Sequence, residues 1–346
     1  AKILISGGGR CNFTNLDARP EAFLSANAHF CKSALARYTQ HDFIALVNRH
    51  GIAWHEKTLG QLFCDGSARQ VVAMLRAEAS AASVEIRTGH RITGIERRDR
   101  FEIATDHGTL DAASLVLATG GLSIPKMGAT GFAHEVARRF GLAVTQTRPG
   151  LVPFTLPVPA LAGVSLEVET RLGTARFREA LLFTHRGLSG PAVLQVSSYW
   201  TPGQAVTVDL LPDLDAAGWL KEGKRSRPRA ELRTLLAERL PQRLAQHLAD
   251  ETSSDAPMAE RRDRDLDALA QRLKGWRVEP TGTEGYAKAE VTVGGVDTAA
   301  LSSRTMEARG VPGLFVVGEA VDVTGWLGGY NFQWAWSSGW AAGEAA

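Results

Sequence analysis

Residues 114–121 read SLVLATGG, and residues 314–319 read LFVVGE. Each is a short apolar run that stops at small residues. Apolar runs of this length, with no alternation, predict strands buried on both faces. In an open α/β sheet, ligands sit beyond the carboxyl ends of parallel strands. Glycine at that position lets a backbone approach a phosphate or a ring, where a Cβ would collide. Four short runs precede the first of these strands: Val84–Arg87, Ile92–Glu96, Phe101–Thr105 and Thr109–Asp111. Gly89, Asp99 and the stretch 106–108 separate them as turns. They read as a β-meander. Two glycine-ended strands far apart in sequence, with a meander before the first, predict a flavin-binding Rossmann-like α/β domain.

Outward from these strands the elements follow from periodicity. Phe23, Phe30, Leu35, Phe43, Ile44 and Val47 recur at helical spacing between residues 18 and 50. A helix is expected from Ser67 to Ala82 with a serine cap, and another from Thr130 to Phe140, closed by Gly141. At Leu151 the texture changes. Pro153, Pro157 and Pro159 mark a passage between domains. Ser165–Leu172, Ala175–Arg178 and Val206–Leu211 read as antiparallel strands of a small barrel. Asp215–Lys274 is dense in both charges and helical in spacing. The basic run Lys221–Arg229 has acids interleaved and no aromatic residues, so a solvated helix face is preferred to an RNA surface. The expected organisation is a Rossmann-like domain of residues 1–153 and 293–346, interrupted by a β-barrel insert at 154–292 whose helical part is 215–275.

The chain has 346 residues, 44% of them hydrophobic and 22% charged, which is ordinary globular composition and excludes disorder. A net charge of +2 gives no global argument for nucleic acid. Three cysteines without a CxxC pair argue against a disulfide scaffold or a zinc site and for a reducing, cytoplasmic setting. No metal is expected. The longest uncharged run, Val323–Gly343, holds five glycines, Asn331 and Gln333, so no membrane span is expected.

Several residues are candidates for chemistry. Gly318-Glu319 ends a buried strand, where an acid can accept from a ribose or ribitol hydroxyl. Gly328-Gly329-Tyr330-Asn331 opens a helix whose positive end would favour the negative edge of a reduced flavin. Trp334, Trp336 and Trp340 on that helix read as packing residues. Gly7-Gly8-Gly9-Arg10 has the make-up of an anion-binding nest, with Asn12, Thr14 and Asn15 as further polar groups. Cys11 beside it is either redox-active or, the preferred reading, a buried structural thiol. His185 is a candidate proton donor. The alternative, which is favoured, is a turn whose His185 and Ser189 cap the helix from Pro191 to Ser198.

The segments KILISGGGRCNFTN (2–15), LVLATGGLS (115–123), FTHRGLSGPAVLQ (183–195), AEVTVGGVDT (289–298), SSRTME (302–307) and GEAVDVTGWLGGYNFQWAWSSG (318–339) occur in series. Together they resemble the BaiN-like bacterial FAD flavoproteins, also called the aminoacetone oxidase family. The resemblance spans the chain. It implies an FAD-binding Rossmann-like domain interrupted by a β-barrel insert that carries helices. It implies FAD contacts at Gly8, Gly9, Arg10, Cys11, Asn12 and Thr14, at Thr119 and Gly120, at Gly318 and Glu319, and at Gly329, Tyr330 and Asn331. The stretch 289–296, with Thr292, Gly294 and Gly295, is expected near the flavin ring. The family pattern begins with a strand, a GxGxxG turn and a helix. That unit is expected upstream of Ala1, together with most of the adenine and pyrophosphate half of the site. The chain as written is therefore expected to hold FAD poorly.

The expected function is an FAD-dependent oxidoreductase, NAD(P)H-linked, acting on a small molecule by enone-type double-bond reduction or amine oxidation. The alternative is a flavin-binding protein that acts on or binds RNA, or one without catalysis. The small net charge leans against it, so no nucleic-acid partner is expected. The oligomeric state stays open.

Overall fold

The computed structural model describes residues 2–157, 159–252 and 256–346; Ala1, on which the expectation about the chain's opening rests, lies outside them. The chain forms two compact units. One holds the residues up to Pro149 together with Glu290–Ala346; the other is Gly150–Ala289.

In the first unit the two diagnostic runs pair in parallel. Leu314, Phe315 and Val316 lie opposite Leu115, Val116 and Leu117. Leu314–Val316 is buried throughout, as its composition predicts. Leu115–Leu117 is not: Val116 is 40% exposed. The pair is a two-stranded sheet among the described residues. The meander forms from Ile92–Arg97, Phe101–Thr105 and Gly108–Ala112. Val84–Arg87 joins no strand, and Val84 and Ile86 are exposed. Their apolar alternation lacks an edge to pair with among the described residues. A separate antiparallel sheet joins Asn12–Asn15, Gln61–Cys64 and Trp54–Glu56.

Helices close this unit. Ala68–Ala81 begins at the expected serine. Ser67 accepts from the Arg69 N–H (3.2 Å), and Gln70 Oε1 accepts from the Ser67 N–H (3.1 Å). Such a reciprocal cap contributes about 1 kcal/mol. Phe132–Arg139 and Tyr330–Gly343 match two more predicted helices; between residues 18 and 50 only Lys32–Arg37 and Gln40–Arg49 are α-helical, and Phe23 lies instead on the short strand Phe23–Leu24. One core gathers Phe101, Leu117, Val136, Phe315, Val316 and Trp334; a second gathers Phe13, Phe43, Val47, Leu62 and Met74. The tryptophans pack as their spacing suggested. Trp334 is buried. Trp336 stacks on Phe43 with centroids 4.5 Å apart and donates to the Phe13 carbonyl (2.9 Å). Trp340 stacks on Tyr38.

In the second unit the expected barrel is an open sheet. Seven antiparallel strands run in the order Trp276–Val278, Val206–Asp209, Ser165–Leu172, Ala175–Thr184, Gly187–Ser189, Phe154–Thr155 and Gly282–Thr283. The terminal strands have three and two residues and are not bonded to each other among the described residues, so the sheet does not close. The charge-dense stretch is helical at Ala216–Ser226, Leu232–Leu236, Gln242–Asp250 and Asp263–Lys274. Several of its cations are partnered. Lys221 meets Asp267 (2.6 Å), Lys224 meets Asp263 (2.7 Å), and Arg227 meets Glu238. Exposed pairs like these contribute little to stability, because water and salt screen them. They are what a solvated helix face carries. Among the described residues no helix is long and apolar enough to cross a membrane, and no cluster of His, Cys, Asp and Glu could hold a metal ion.

Candidate flavin cradle

Strand Asn12–Asn15 lies directly against the turn that starts helix Tyr330–Gly343. In the orientation its neighbours require, Asn12 accepts from the Gly329 N–H (3.2 Å) and donates to the Thr14 and Leu62 carbonyls (3.2 and 3.1 Å). Asn15 Nδ2 donates to the Gly328 carbonyl (3.0 Å). Thr14 Oγ1 donates to Gln333 Oε1 (2.6 Å). Gly329 has φ +96°, and a Cβ there would fall 2.3 Å from the Thr14 carbonyl oxygen. Only glycine fits. Asn331 folds back on Gly325, accepting from its N–H (2.8 Å) and donating to its carbonyl (2.9 Å). Tyr330 is buried edge-on against Phe23. The structure thus brings Asn12, Thr14, Gly329, Tyr330 and Asn331 together, but their side chains are engaged internally. What they present is backbone. Gly329, at the N-cap, has no side chain of its own to cap the 14-residue helix, and a helix start carries a partial positive charge.

The loop before that strand has the conformation its glycines allow. Gly7, Gly8 and Gly9 are all left-handed, at φ +56°, +65° and +85°. Successive N–H groups in such a loop can turn toward one anion. Nothing lies within 4 Å of a Cβ built on Gly8, and Arg10 is exposed. Cys11 is different. Its thiol is fully buried in the core with Phe13 and Phe43, and burial pushes its pKa up to about 12. It is a structural thiol, and its N–H is engaged as well, donating to the Ser6 carbonyl (3.0 Å).

The ends of the parallel strands form a second cluster. Glu319 Oε1 accepts from Ser123 Oγ (2.8 Å) and from the Thr292 N–H (2.9 Å); Oε2 accepts from Lys2 Nζ (2.6 Å). Thr292 Oγ1 accepts from the Leu122 N–H (2.8 Å). Glu319 therefore staples three segments. A Cβ on Gly121 would come within 2.4 Å of Thr292 Oγ1 and 2.8 Å of Glu319 Oε1. Thr119 and Gly120 lie just outside the staple, with Gly120 at φ +74° and open space where a Cβ would be. Gly318 is tied to the closing helix: its N–H donates to Ser338 Oγ (3.0 Å), and its carbonyl accepts from Trp334 Nε1 (3.0 Å). Sequence reading missed Lys2, Ser123 and His134. Ser123 follows the Gly-Gly pair and was legible; Lys2 and His134 carried no signal. His134 is 2% exposed and bonds the Ala320 backbone; burial holds its pKa below the ordinary histidine value.

His185 lies in the other unit, in the exposed turn between Ala175–Thr184 and Gly187–Ser189. The capping alternative does not hold. Helix Pro191–Ser197 starts at Gly190 without a side-chain cap, and Thr184 Oγ1 organises the turn by accepting from the Arg186 and Gly187 N–H groups (3.2 and 3.1 Å).

With this geometry in hand, comparison with known proteins is informative. The chain is 55% identical to an Escherichia coli (strain K12) protein named "Ribosomal RNA dihydrouridine synthase", across 99% of this chain and 88% of that one. It is 47% identical to a Haemophilus influenzae protein of the same name, across 98% and 88%. A Clostridium scindens protein named "3-dehydro-bile acid delta(4,6)-reductase" is 29% identical across 100% and 89%. All three are named as enzymes. The expectation of a small-molecule substrate does not survive the first two matches, and neither does the expectation of no nucleic-acid partner. The second leaned on net charge, which averages over the whole surface and says little about one local contact; the first followed the resemblance. The RNA-acting alternative is the one these relatives support. The family supports a flavin as cofactor; it leaves the reductant open. The model for the HI0933-like protein Rossmann domain matches residues 1–345, and the chain belongs to that family.

Proposed function

We propose that this protein is a flavin-dependent dihydrouridine synthase acting on ribosomal RNA in the cytoplasm, with FAD as the flavin and NADH or NADPH as the reductant. The observation that carries the reading is 55% identity, sustained over 99% of the chain, to a protein of that name. The geometry supports it. A glycine loop of three left-handed residues, a helix start with glycine at its N-cap and a glycine with room at Gly120 fit a phosphate-bearing, flat cofactor.

The reaction saturates the C5–C6 bond of a uridine: one carbon takes a hydride and its neighbour a proton. A bound flavin supplies the hydride equivalent. The chain's own tasks are positioning and charge. The Gly7–Gly9 loop and Arg10 are suited to a pyrophosphate. The start of helix Tyr330–Gly343 is suited to negative charge developing on a reduced ring, and it is preorganised because Asn12, Asn15 and Thr14 hold its turn in place. Thr292 lies beside the Glu319 staple, on the strand read as approaching the ring.

The test is anaerobic. The reduced, flavin-loaded protein is mixed with unmodified ribosomal RNA or with a small enone. Reoxidation of the flavin band by the RNA, and not by the enone, is expected. Reoxidation by the enone alone would contradict the reading.

A further inference from the structure

The hairpin Trp54–Glu56/Gln61–Cys64 turns through Lys57, Thr58, Leu59 and Gly60. Leu59 is 61% exposed, the most exposed large apolar side chain among the described residues. It also sits at φ +50°. A branched apolar residue rarely adopts that left-handed conformation, because its Cβ crowds the backbone and it has no polar group to bond locally. The conformation is enforced from all sides. The buried Asn15 donates to the Leu59 carbonyl (3.0 Å), the Gly60 N–H donates to Glu56 Oε1 (3.1 Å), and the Gly60 carbonyl accepts from the Leu16 N–H (2.8 Å). A Cβ on Gly60 would fall 2.6 Å from Asn15 Oδ1. The tip is thus a rigid support for a strained, solvent-facing leucine, which gains nothing for folding. Strain held in this way is a pointer to function.

Its position gives the function a direction. The same Asn15 Nδ2 that holds Leu59 also holds the Gly328 carbonyl (3.0 Å), and Gly328 opens the turn into helix Tyr330–Gly343. The Gln61 side chain lies within 3 Å of where a Cβ on Gly328 would be. Leu16, 37% exposed, flanks the tip. Lys57 is exposed, with its ammonium 5.5 Å from the Phe63 ring centroid and no carboxylate partner among the described residues. An apolar knuckle with a cation that lacks a carboxylate partner among the described residues therefore stands next to the candidate cradle. An enzyme that reacts at a base must take that base out of its stack. Inserted leucines are one way proteins hold a stack open, and lysines meet the phosphates alongside.

We propose that Leu59, flanked by Leu16, is a wedge that fills the gap left when the target uridine leaves its stack in folded ribosomal RNA, with Lys57 on a neighbouring phosphate. The proposal rests on the RNA reading above. Leu59→Gly is the variant of choice, because glycine accepts the left-handed conformation and relieves the strain. In the intact, flavin-loaded protein, kcat/KM for dihydrouridine formation is measured on folded ribosomal RNA and on a short unstructured oligomer of the same local sequence. The loss on folded RNA is expected to be about tenfold or more, and the loss on the oligomer several times smaller, since a single strand costs less to unstack. Flavin content and melting temperature serve as fold controls. Equal losses on the two substrates, or none on folded RNA, would overturn the wedge. A variant that keeps its activity on folded RNA but loses binding to a ribosomal protein would move this surface to a protein partner and overturn it as well. If the wild-type protein forms no dihydrouridine in either RNA, the functional reading itself fails; if the wild type is active and Leu59→Gly equals it, only the wedge fails.

Discussion

Gly329→Ala should strip the protein of flavin and lower its stability by about 3 kcal/mol or more. Two costs combine. The residue sits at φ +96°, where an L side chain is strained, and the new Cβ would lie 2.3 Å from the Thr14 carbonyl oxygen and 2.4 Å from its carbon. Both obstacles are backbone, so neither can swing away. Strand Asn12–Asn15 and the start of helix Tyr330–Gly343 must separate, breaking the Asn12–Gly329 and Asn15–Gly328 bonds. The helix end would no longer face its present position. Gly339→Ala is the matched control. It lies inside the same helix with nothing within 4 Å of a Cβ, and replacing a helix-interior glycine should stabilise by about 0.5–1 kcal/mol. Melting temperature and the flavin absorbance of purified protein read both effects. A Gly329→Ala protein that melts normally and keeps its flavin would show that the close approach to Thr14 is not needed.

Glu319→Ala should be the second largest loss, about 2–4 kcal/mol, with weakened flavin retention. The carboxylate takes three donors from three segments: Ser123 Oγ, the Thr292 N–H and Lys2 Nζ. Removing it leaves a half-buried ammonium without its counter-charge and an amide without its acceptor. Glu319→Gln keeps the shape and one acceptor, so its loss should be smaller, with Lys2 the group left unpaired. Denaturant melts of the three proteins, with flavin titration of each, give the order. Equal stability of the wild type and Glu319→Ala would show that the staple contributes nothing. Reduced flavin affinity at unchanged stability would instead make Glu319 a direct ligand, as its position after a buried strand first suggested.

How much of this was legible depends on what each residue does. Gly329, Gly120 and the Gly7–Gly9 loop were readable because glycine marks left-handed backbone, which all of them have, and at Gly329 a side chain is excluded as well. The serine cap at Ser67 was readable because capping is local. Side-chain destinations were less accessible. Asn331 and Thr14 looked like ligand donors but are engaged with Gly325 and Gln333, partners set by tertiary approach. Lys2 and His134 gain their roles only through contacts far along the chain. The barrel was expected because short alternating strands suit both a barrel and an open sheet; closure depends on whether the end strands meet, and Trp276–Val278 and Gly282–Thr283 are not bonded to each other. The partner was missed for a similar reason. Lys221–Arg229 was the visible basic run, and its Lys221, Lys224 and Arg227 are paired with Asp267, Asp263 and Glu238. Lys57 and Leu59, in a four-residue turn, carry no composition signal at all.

The most direct test of the RNA reading is nucleoside mass analysis. Unmodified ribosomal RNA is incubated anaerobically with the flavin-loaded protein and NADPH or NADH, digested to nucleosides, and compared with a reaction lacking flavin. Flavin-dependent appearance of a nucleoside two mass units above uridine, at the retention time of dihydrouridine, is the predicted result. Ribosomal RNA that stays free of dihydrouridine, while the same protein sample oxidises the nicotinamide at the expense of another acceptor, would contradict it.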